Sequence, residues 1–300
     1  MQGLLLLNKP KGITSFSAVS RIKRIANEKR VGHTGTLDPM ATGVLPILLG
    51  RATALSSIML DADKRYIAKI KLGIKTDTDD ITGAVLEEKK VNVTEKELNS
   101  VLEHFVGKQK QTPPIYSAIK KDGVRLYDLA RQGKTTEIKA RDIEIFKIRL
   151  LEKLDENNEF SVAVHVSKGT YIRSLARDIG EYLGCGATLT GLERTYASGF
   201  DITECVCLEA LEEQGIGRYI LNEEAAVSFL AQINVTEKQA IRFTNGGQLG
   251  FERLHLKDVC EGQLFRVKFN DLLLGIGFAD IEKQEIGIKC IINYPKDDTE

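Results

Sequence analysis

The stretch spanning residues 31–49, VGHTGTLDPMATGVLPILL, constrains this chain more than any other. Gly32, Gly35, Pro39 and Gly43 punctuate its first half, and the remainder turns almost wholly apolar. Glycine admits backbone angles that other residues avoid, and Pro39 biases Asp38 away from the α region. The pattern predicts an irregular loop that presents one acidic side chain, Asp38, just before a buried apolar segment. The plainer alternative is a tight turn with a solvated aspartate, because turns use Asp freely. A P-loop is excluded, since GHTGT lacks the Gly-Lys-Ser/Thr that closes a phosphate cradle.

Three hundred residues, 42% of them hydrophobic, suffice for a large core and suggest two domains. The 42 basic residues balance 42 acidic ones, so the total charge gives no sign of a polyanion partner. The distribution is less even. Residues 1–30 hold Lys9, Lys11, Arg21, Lys23, Arg24, Lys29 and Arg30 against Glu28 alone. Residues 108–141 are likewise rich in Lys and Arg. Salt screens charges more than roughly 10 Å apart, so such patches can bind phosphate although the sum is zero. A solvated charged face fits either run equally well.

Five cysteines (Cys185, Cys205, Cys207, Cys260 and Cys290) show no zinc-like spacing, and no HExxH pattern occurs. The opening MQGLLLLNKP is too short for a signal peptide or a membrane span. Reduced thiols and the lack of a targeting segment point to the cytoplasm.

Residues 4–7 read as a strand stopped by the turn NKPKG. Ser15 or Thr14 can cap a helix with Val19, Ile22 and Ala26 at helical spacing. Tyr66, Ala68, Ile70 and Leu72 alternate with Ile67, Lys69 and Lys71, which makes a strand with Tyr66 on its inner face. The acidic run DTDD at 77–80 fails the EF-hand pattern at Ile81 and Thr82 and reads as a turn. Thr94 and Glu97 form a capping box for a helix carrying Leu98, Val101, Leu102 and Phe105, with Gly107 as its end. Residues 112–134 continue from two prolines into a basic amphipathic piece with Leu126, Leu129 and Ala130. Tyr116 and Tyr127 lie in it among lysines and arginines, a mixture suited to phosphate contact and stacking.

Strands are expected at 143–150 and 161–166, then a helix after SKGTYIR with Ile172, Leu175, Ala176, Ile179 and Leu183 inward. An arginine in the first turn of a helix opposes its dipole, so Arg173 requires a carboxylate or phosphate partner. Residues 204–224 turn acidic and read as a return helix and then a boundary. Beyond about residue 234, short strands around the turn Asn270-Asp271 and recurrent glycines form a small β module.

GHTGTLDP followed by ATGVLPI, with NKPKGITS before it and KRY and GTYIR after it, resembles the bacterial tRNA pseudouridine synthase B family. The four motifs stand in the family's order across residues 1 to about 230, and the tail matches with less force. Met40 stands where leucine is common, and Glu193 where a basic or neutral residue is usual. The resemblance implies an α+β fold: a catalytic domain over 1–232 with a largely antiparallel mixed sheet flanked by helices, and a small PUA-type β domain over 233–300. It also implies an RNA-binding thumb at about 108–141.

The activity implied is isomerisation of uridine 55 in the T-loop of tRNA to pseudouridine, with assistance to tRNA folding as an added role. Asp38 is then the nucleophile; attack at ribose C1′, attack at uracil C6 and elimination to a glycal all fit the residues. Arg173 is its ion-pair partner and favours the ionised carboxylate. Tyr66 stacks on the uracil and helps remove the C5 proton. The base must leave its helical stack, and His33 fills the vacated space. Tyr171 and Leu192 line the uracil pocket, and Lys9 lies in the lysine-rich turn beside the active loop as a further substrate contact. No cofactor or metal is implied. The partner is tRNA through its T-arm and T-loop, with no membrane, no obligate protein partner and a monomeric chain. The competing readings are a sister class working on guide RNA complexes and an RNA-binding chaperone.

Overall fold

The leucine run at the start of the chain lacks the alternation of a half-buried strand because it is buried on both faces. Leu5 and Leu7 of the strand Gly3–Lys9 face the main core, whereas Leu4 and Leu6 belong to a second cluster on the opposite side. A strand covered twice reads as a continuous apolar run. The computed structural model describes residues 1–116, the hairpin strands Lys120–Lys121 and Val124–Arg125, and residues 138–295.

Across the main sheet the strands run Ile220–Leu221, Gly3–Lys9, Thr42–Leu49, Ala187–Ala197, Lys64–Leu72, Glu159–Val166, Arg141–Glu152 and Gly107–Gln111. Val31–His33 and Phe200–Asp201 pair outside this path. The sheet is largely antiparallel, as expected. The exception is the parallel contact that sets Glu193 against Thr42 and Arg194 against Gly43. Gly43 is required there: its φ is +102°, and a Cβ would lie 2.2 Å from the Arg194 carbonyl oxygen. The alternation of Lys64–Leu72 holds, with Tyr66, Ala68, Ile70 and Leu72 buried and Arg65, Ile67 and Lys69 exposed.

Of the two capping candidates, Thr14 caps the helix Ser15–Ala26 by accepting from the Ser17 N–H. The capping box of Glu95–His104 is present, but that helix ends at Phe105, and Gly107 opens the next strand instead. Ile172–Tyr182 follows the GTY turn and buries Ile172, Leu175, Ala176 and Ile179, with Gly184 at φ +77° just beyond it. The sequence pattern assigns no strand between this helix and residue 204. The structure instead makes Ala187–Ala197 a central strand of the sheet. The helix expected around Leu126, Leu129 and Ala130 lies outside the described residues.

A second, five-stranded sheet runs Ala231–Asn234, Leu264–Phe269, Leu272–Asp280, Glu285–Ile291 and Leu249–Gly250, with Asn270 at φ +52° in the expected turn. The helices Glu237–Thr244 and Phe251–Leu254 accompany it, which the β-only expectation for this part omitted. Leu273, Ile276 and Ile292 of this part join Leu4, Leu6, Leu48, Ala52 and Leu55 in one buried cluster.

Candidate active site

The loop carrying Asp38 is stitched to its surroundings on three sides. The Ser15 hydroxyl accepts from the Leu37 N–H at 2.8 Å and donates to the Leu37 carbonyl at 3.0 Å. The Gly12 N–H donates to the Pro39 carbonyl at 2.7 Å, which ties the NKPKG turn to the residue after Asp38. From beneath, Arg194 donates from Nε to the Val44 carbonyl at 2.7 Å and from Nη2 to the Gly35 carbonyl at 3.0 Å. Such clamping holds one conformation at a segment whose glycines would otherwise leave it free. The backbone order expected for a presented carboxylate is therefore in place, and Asp38 keeps a side-chain exposure of 36%.

Arg173 lies against it, its Nε 2.9 Å from Asp38 Oδ2. Its Nη1 is 3.8 Å from Asp80 Oδ2 and donates to the Thr78 carbonyl, and its Nη2 donates to the Tyr116 carbonyl at 2.9 Å. The buried guanidinium is thus fixed from the DTDD turn and from the residues just after the two prolines. Arg177, one helical turn on, pairs with Asp79 at 3.0 Å and with Asp178 at 2.8 Å, and donates to the Thr112 carbonyl. The carboxylate partners demanded by arginines near a helix start are supplied by the acidic turn.

Electrostatics modify one expectation. Desolvation pushes the Asp38 carboxyl above the ordinary aspartate range; Arg173 pulls it down, and the neighbouring Asp80 adds to the rise. Arg173 therefore offsets part of a burial cost rather than bringing the carboxyl below its usual range.

The other expected site residues differ in burial and in the partners they meet. Tyr66 is buried on the inner face of its strand, with Arg194 and Val164 as its cross-strand neighbours. Leu192 is half-buried opposite Ala68, two positions along from Tyr66 on the same face. His33 closes the strand Val31–His33; burial, and then Arg194, holds its imidazole below the usual range, so it is neutral at neutral pH. Tyr171 sits at the start of the Ile172–Tyr182 helix, its N–H donating to Gln111 Oε1 and its carbonyl accepting from Gln111 Nε2. Lys9 departs from its expected place as a substrate contact. It is fully buried, its Nζ donating to the Pro10 and Ile13 carbonyls at 2.8 Å each. Desolvation lowers its pKa to about 8, although Asp38 acts to raise it. Lys9 braces the turn that touches Pro39 instead of facing solvent.

Sequence reading missed Arg194, which is 1% exposed and joins the Asp38 loop to the sheet. Its signal was the alternation of Leu192 and Arg194 along a segment to which no strand was assigned. Asp80 belongs to the acidic turn at 77–80, whose resemblance to the family's acidic turn implies a tether for basic residues near the active site, and it stands 3.8 Å from Arg173. Among the described residues no group of three or more His, Cys, Asp or Glu is placed to hold a metal ion.

Residues 23–172 match the TruB family pseudouridylate synthase N-terminal domain, and residues 173–230 match the tRNA pseudouridylate synthase B C-terminal domain. The chain belongs to the TruB family. Curated relatives include tRNA pseudouridine synthase B of Clostridium perfringens strain 13, 42% identical over 93% of this chain and 96% of that protein. The Salmonella paratyphi B protein of the same name is 37% identical over 98% of this chain and 96% of its own length. Among solved structures, an H/ACA RNP bound to a substrate RNA containing 2′-deoxyuridine aligns with a TM-score of 0.74 at 26% identity, covering 98% of this chain and 87% of that one. A Cbf5-Nop10-Gar1 complex aligns with a TM-score of 0.73 at 29% identity, over 98% of this chain and 84% of that one. As a TruB-family pseudouridine synthase, this chain is an enzyme, and the Asp38–Arg173 pair bridges its two matched segments, which meet between residues 172 and 173.

Proposed function

We propose that this protein isomerises uridine 55 in the T-loop of tRNA to pseudouridine, with Asp38 as the nucleophile. The observation that carries the reading is Asp38 held at the tip of a clamped loop with Arg173 at 2.9 Å. The substrate class is supported by relatives named tRNA pseudouridine synthase B at 37–42% identity over nearly their full length. The reaction breaks the N-glycosidic bond, turns the uracil and rejoins it through carbon, so no group leaves the enzyme and no redox partner is required.

Asp38 acts as its carboxylate, at C1′ or at C6, or assists elimination to the glycal. Arg173 counters the desolvation that would protonate it. Tyr66, buried on the inner face, stacks on the flipped uracil and removes or relays the C5 proton. His33, neutral on the same loop, occupies the space the base leaves without adding charge to the stack. Tyr171 and Leu192 line the pocket, and Lys9 fixes the turn behind it. Residues 1–232 form the catalytic domain and 233–300 the PUA-like RNA-binding part, with an RNA-binding thumb segment at about 108–141. The chain works as a monomer in the cytoplasm. In support, all five cysteines are free, and among the described residues no helix is long and apolar enough to cross a membrane.

The test is to incubate the purified protein with unmodified tRNA and with an isolated T-arm hairpin, and to map pseudouridine by carbodiimide modification. Product at the one T-loop uridine in both substrates is expected. Product at another position, or none, overturns the assignment.

A further inference from the structure

Phe16 is 76% exposed, more than any other exposed large hydrophobic residue among those described. Single exposed apolar side chains are ordinary on protein surfaces, so exposure alone means little. Its location carries more. Ser15, the preceding residue, clasps Leu37 through both of its hydrogen bonds, and Leu37 precedes Asp38. Phe16 is therefore the next residue along the chain from the side chain that holds the Asp38 loop. It occupies the first turn of a rigid helix, Ser15–Ala26, where its backbone carbonyl accepts from the Ser20 hydroxyl.

The face it shares is cationic. Ser20, Lys23, Arg24 and Asn27 follow Phe16 at helical spacing, and all but the half-buried Ser20 are exposed. Lys23 lies about 10 Å along the axis from Phe16, at 1.5 Å per residue. Lys11, exposed on the adjoining turn, adds a further charge. The one acid in the first thirty residues is Glu28, and it is occupied: it pairs with the N-terminal ammonium at 2.8 Å and accepts from the Arg30 N–H. An exposed ring followed by cations, with polar Thr14, Ser17 and Ser20 around it rather than an apolar patch, is the composition of a base-stacking platform beside phosphate contacts. A protein-docking face would extend the apolar area instead.

We propose that Phe16 stacks on an unpaired nucleobase of the RNA loop next to the flipped uridine, with Lys23 and Arg24 holding the phosphates that follow. This rests on the tRNA reading above. Loops whose bases are splayed out offer such faces, and flipping the uridine unstacks its neighbours.

The experiment measures binding of an unmodified T-arm hairpin to the Asp38→Asn protein, which leaves the RNA unreacted, with Phe16 changed to Ala, Leu or Trp. Steady-state kinetics on the same Phe16 changes in the active protein accompany it. Stacking on one aromatic ring predicts roughly 5- to 100-fold weaker binding for Phe16→Ala. Phe16→Trp should bind as the parent does and Phe16→Leu as the Ala variant, with the loss in KM and kcat retained. Lys23→Ala with Arg24→Ala should flatten the salt dependence by roughly one to two phosphate equivalents, while Phe16→Ala leaves the slope alone. Unchanged affinity for Phe16→Ala, or rescue by Leu as good as by Trp, overturns the proposal, as does a fall in kcat at unchanged KM. If the parent protein itself forms no pseudouridine in the hairpin, the functional reading fails first; if it does and Phe16→Ala binds normally, only this inference fails.

Discussion

Replacing Arg173 separates its charge from its geometry. Its Nε is 2.9 Å from Asp38, and two further donors reach the Thr78 and Tyr116 carbonyls. Opposite charges whose centres are about 4 Å apart interact by roughly 1 kcal/mol in water and roughly 4 kcal/mol at an effective dielectric of about 20. Asp38 keeps 36% of its side chain exposed, so solvent screening places the pair in the lower part of that range. An interaction of about 1–2 kcal/mol corresponds to about one pKa unit. A carboxylate that must be ionised loses activity as pH falls through its folded pKa. Removing Arg173 raises a pKa that desolvation has already raised, so the acid limb moves to higher pH. Arg173→Met should shift the acid limb of the single-turnover rate up by about one pH unit and lower the plateau on the order of 100-fold, because the carboxylate also loses its fixed direction. Arg173→Lys should keep the limb near its parental place while the plateau still falls, since an ammonium cannot span Asp38 and both carbonyls. Affinity for tRNA should change less than about threefold in both, because one pair is a small part of a phosphate interface. An unmoved acid limb together with weaker binding and a shallower salt slope would refute the pairing role and make Arg173 a phosphate contact.

Asp38→Asn and Asp38→Ala should abolish pseudouridine formation while tRNA affinity, read by filter binding, stays within about threefold; substantial turnover by the Ala protein would remove Asp38 from the chemistry. Arg194→Lys should reach only one of the Gly35 and Val44 carbonyls, so kcat should drop roughly tenfold or more with little change in binding, and a parental kcat would show that the loop needs no clamp from below. Gly43→Ala puts a methyl 2.2 Å from the Arg194 carbonyl oxygen, and a loss of several kcal/mol in urea unfolding is expected, on the order of the larger single-residue effects. Leu273→Ala, in the cluster shared with Leu4 and Leu6, should cost about 2–5 kcal/mol in the same assay; a cost below about 1 kcal/mol would mean that the cluster does not couple the two parts.

Much of the site was legible because its signals are local. The glycines and Pro39 announced an irregular loop, the alternation from Tyr66 to Leu72 set that tyrosine inward, and the first-turn position of Arg173 called for a carboxylate or phosphate partner. What escaped depends on contacts between distant segments. Arg194 is buried because its strand runs parallel to Thr42–Leu49 through a glycine, which no window around residue 194 displays. Lys9 was placed correctly near the loop, but its burial depends on the Pro10 and Ile13 carbonyls closing round it. The net direction of the Asp38 pKa was also out of reach, because it depends on how far desolvation exceeds the Arg173 attraction.

The same long-range contacts explain why the five-stranded part is more than an appendage. Its Leu273, Ile276 and Ile292 join Leu4 and Leu6 of the first strand in one buried cluster, together with Ala52, Leu55, Ala226 and Val227, while Leu5 and Leu7 on the other face carry the main core. That strand ends at Lys9, whose ammonium holds the turn that donates from Gly12 to Pro39 beside Asp38. Cutting the chain near residue 234 would therefore open the apolar cluster that includes one face of the strand leading to the Asp38 loop, not merely remove an RNA contact. Weaker activity in such a truncation does not by itself report lost RNA binding. Charge substitutions on the outer surface of the five-stranded part, with Leu273, Ile276 and Ile292 left in place, separate the two effects.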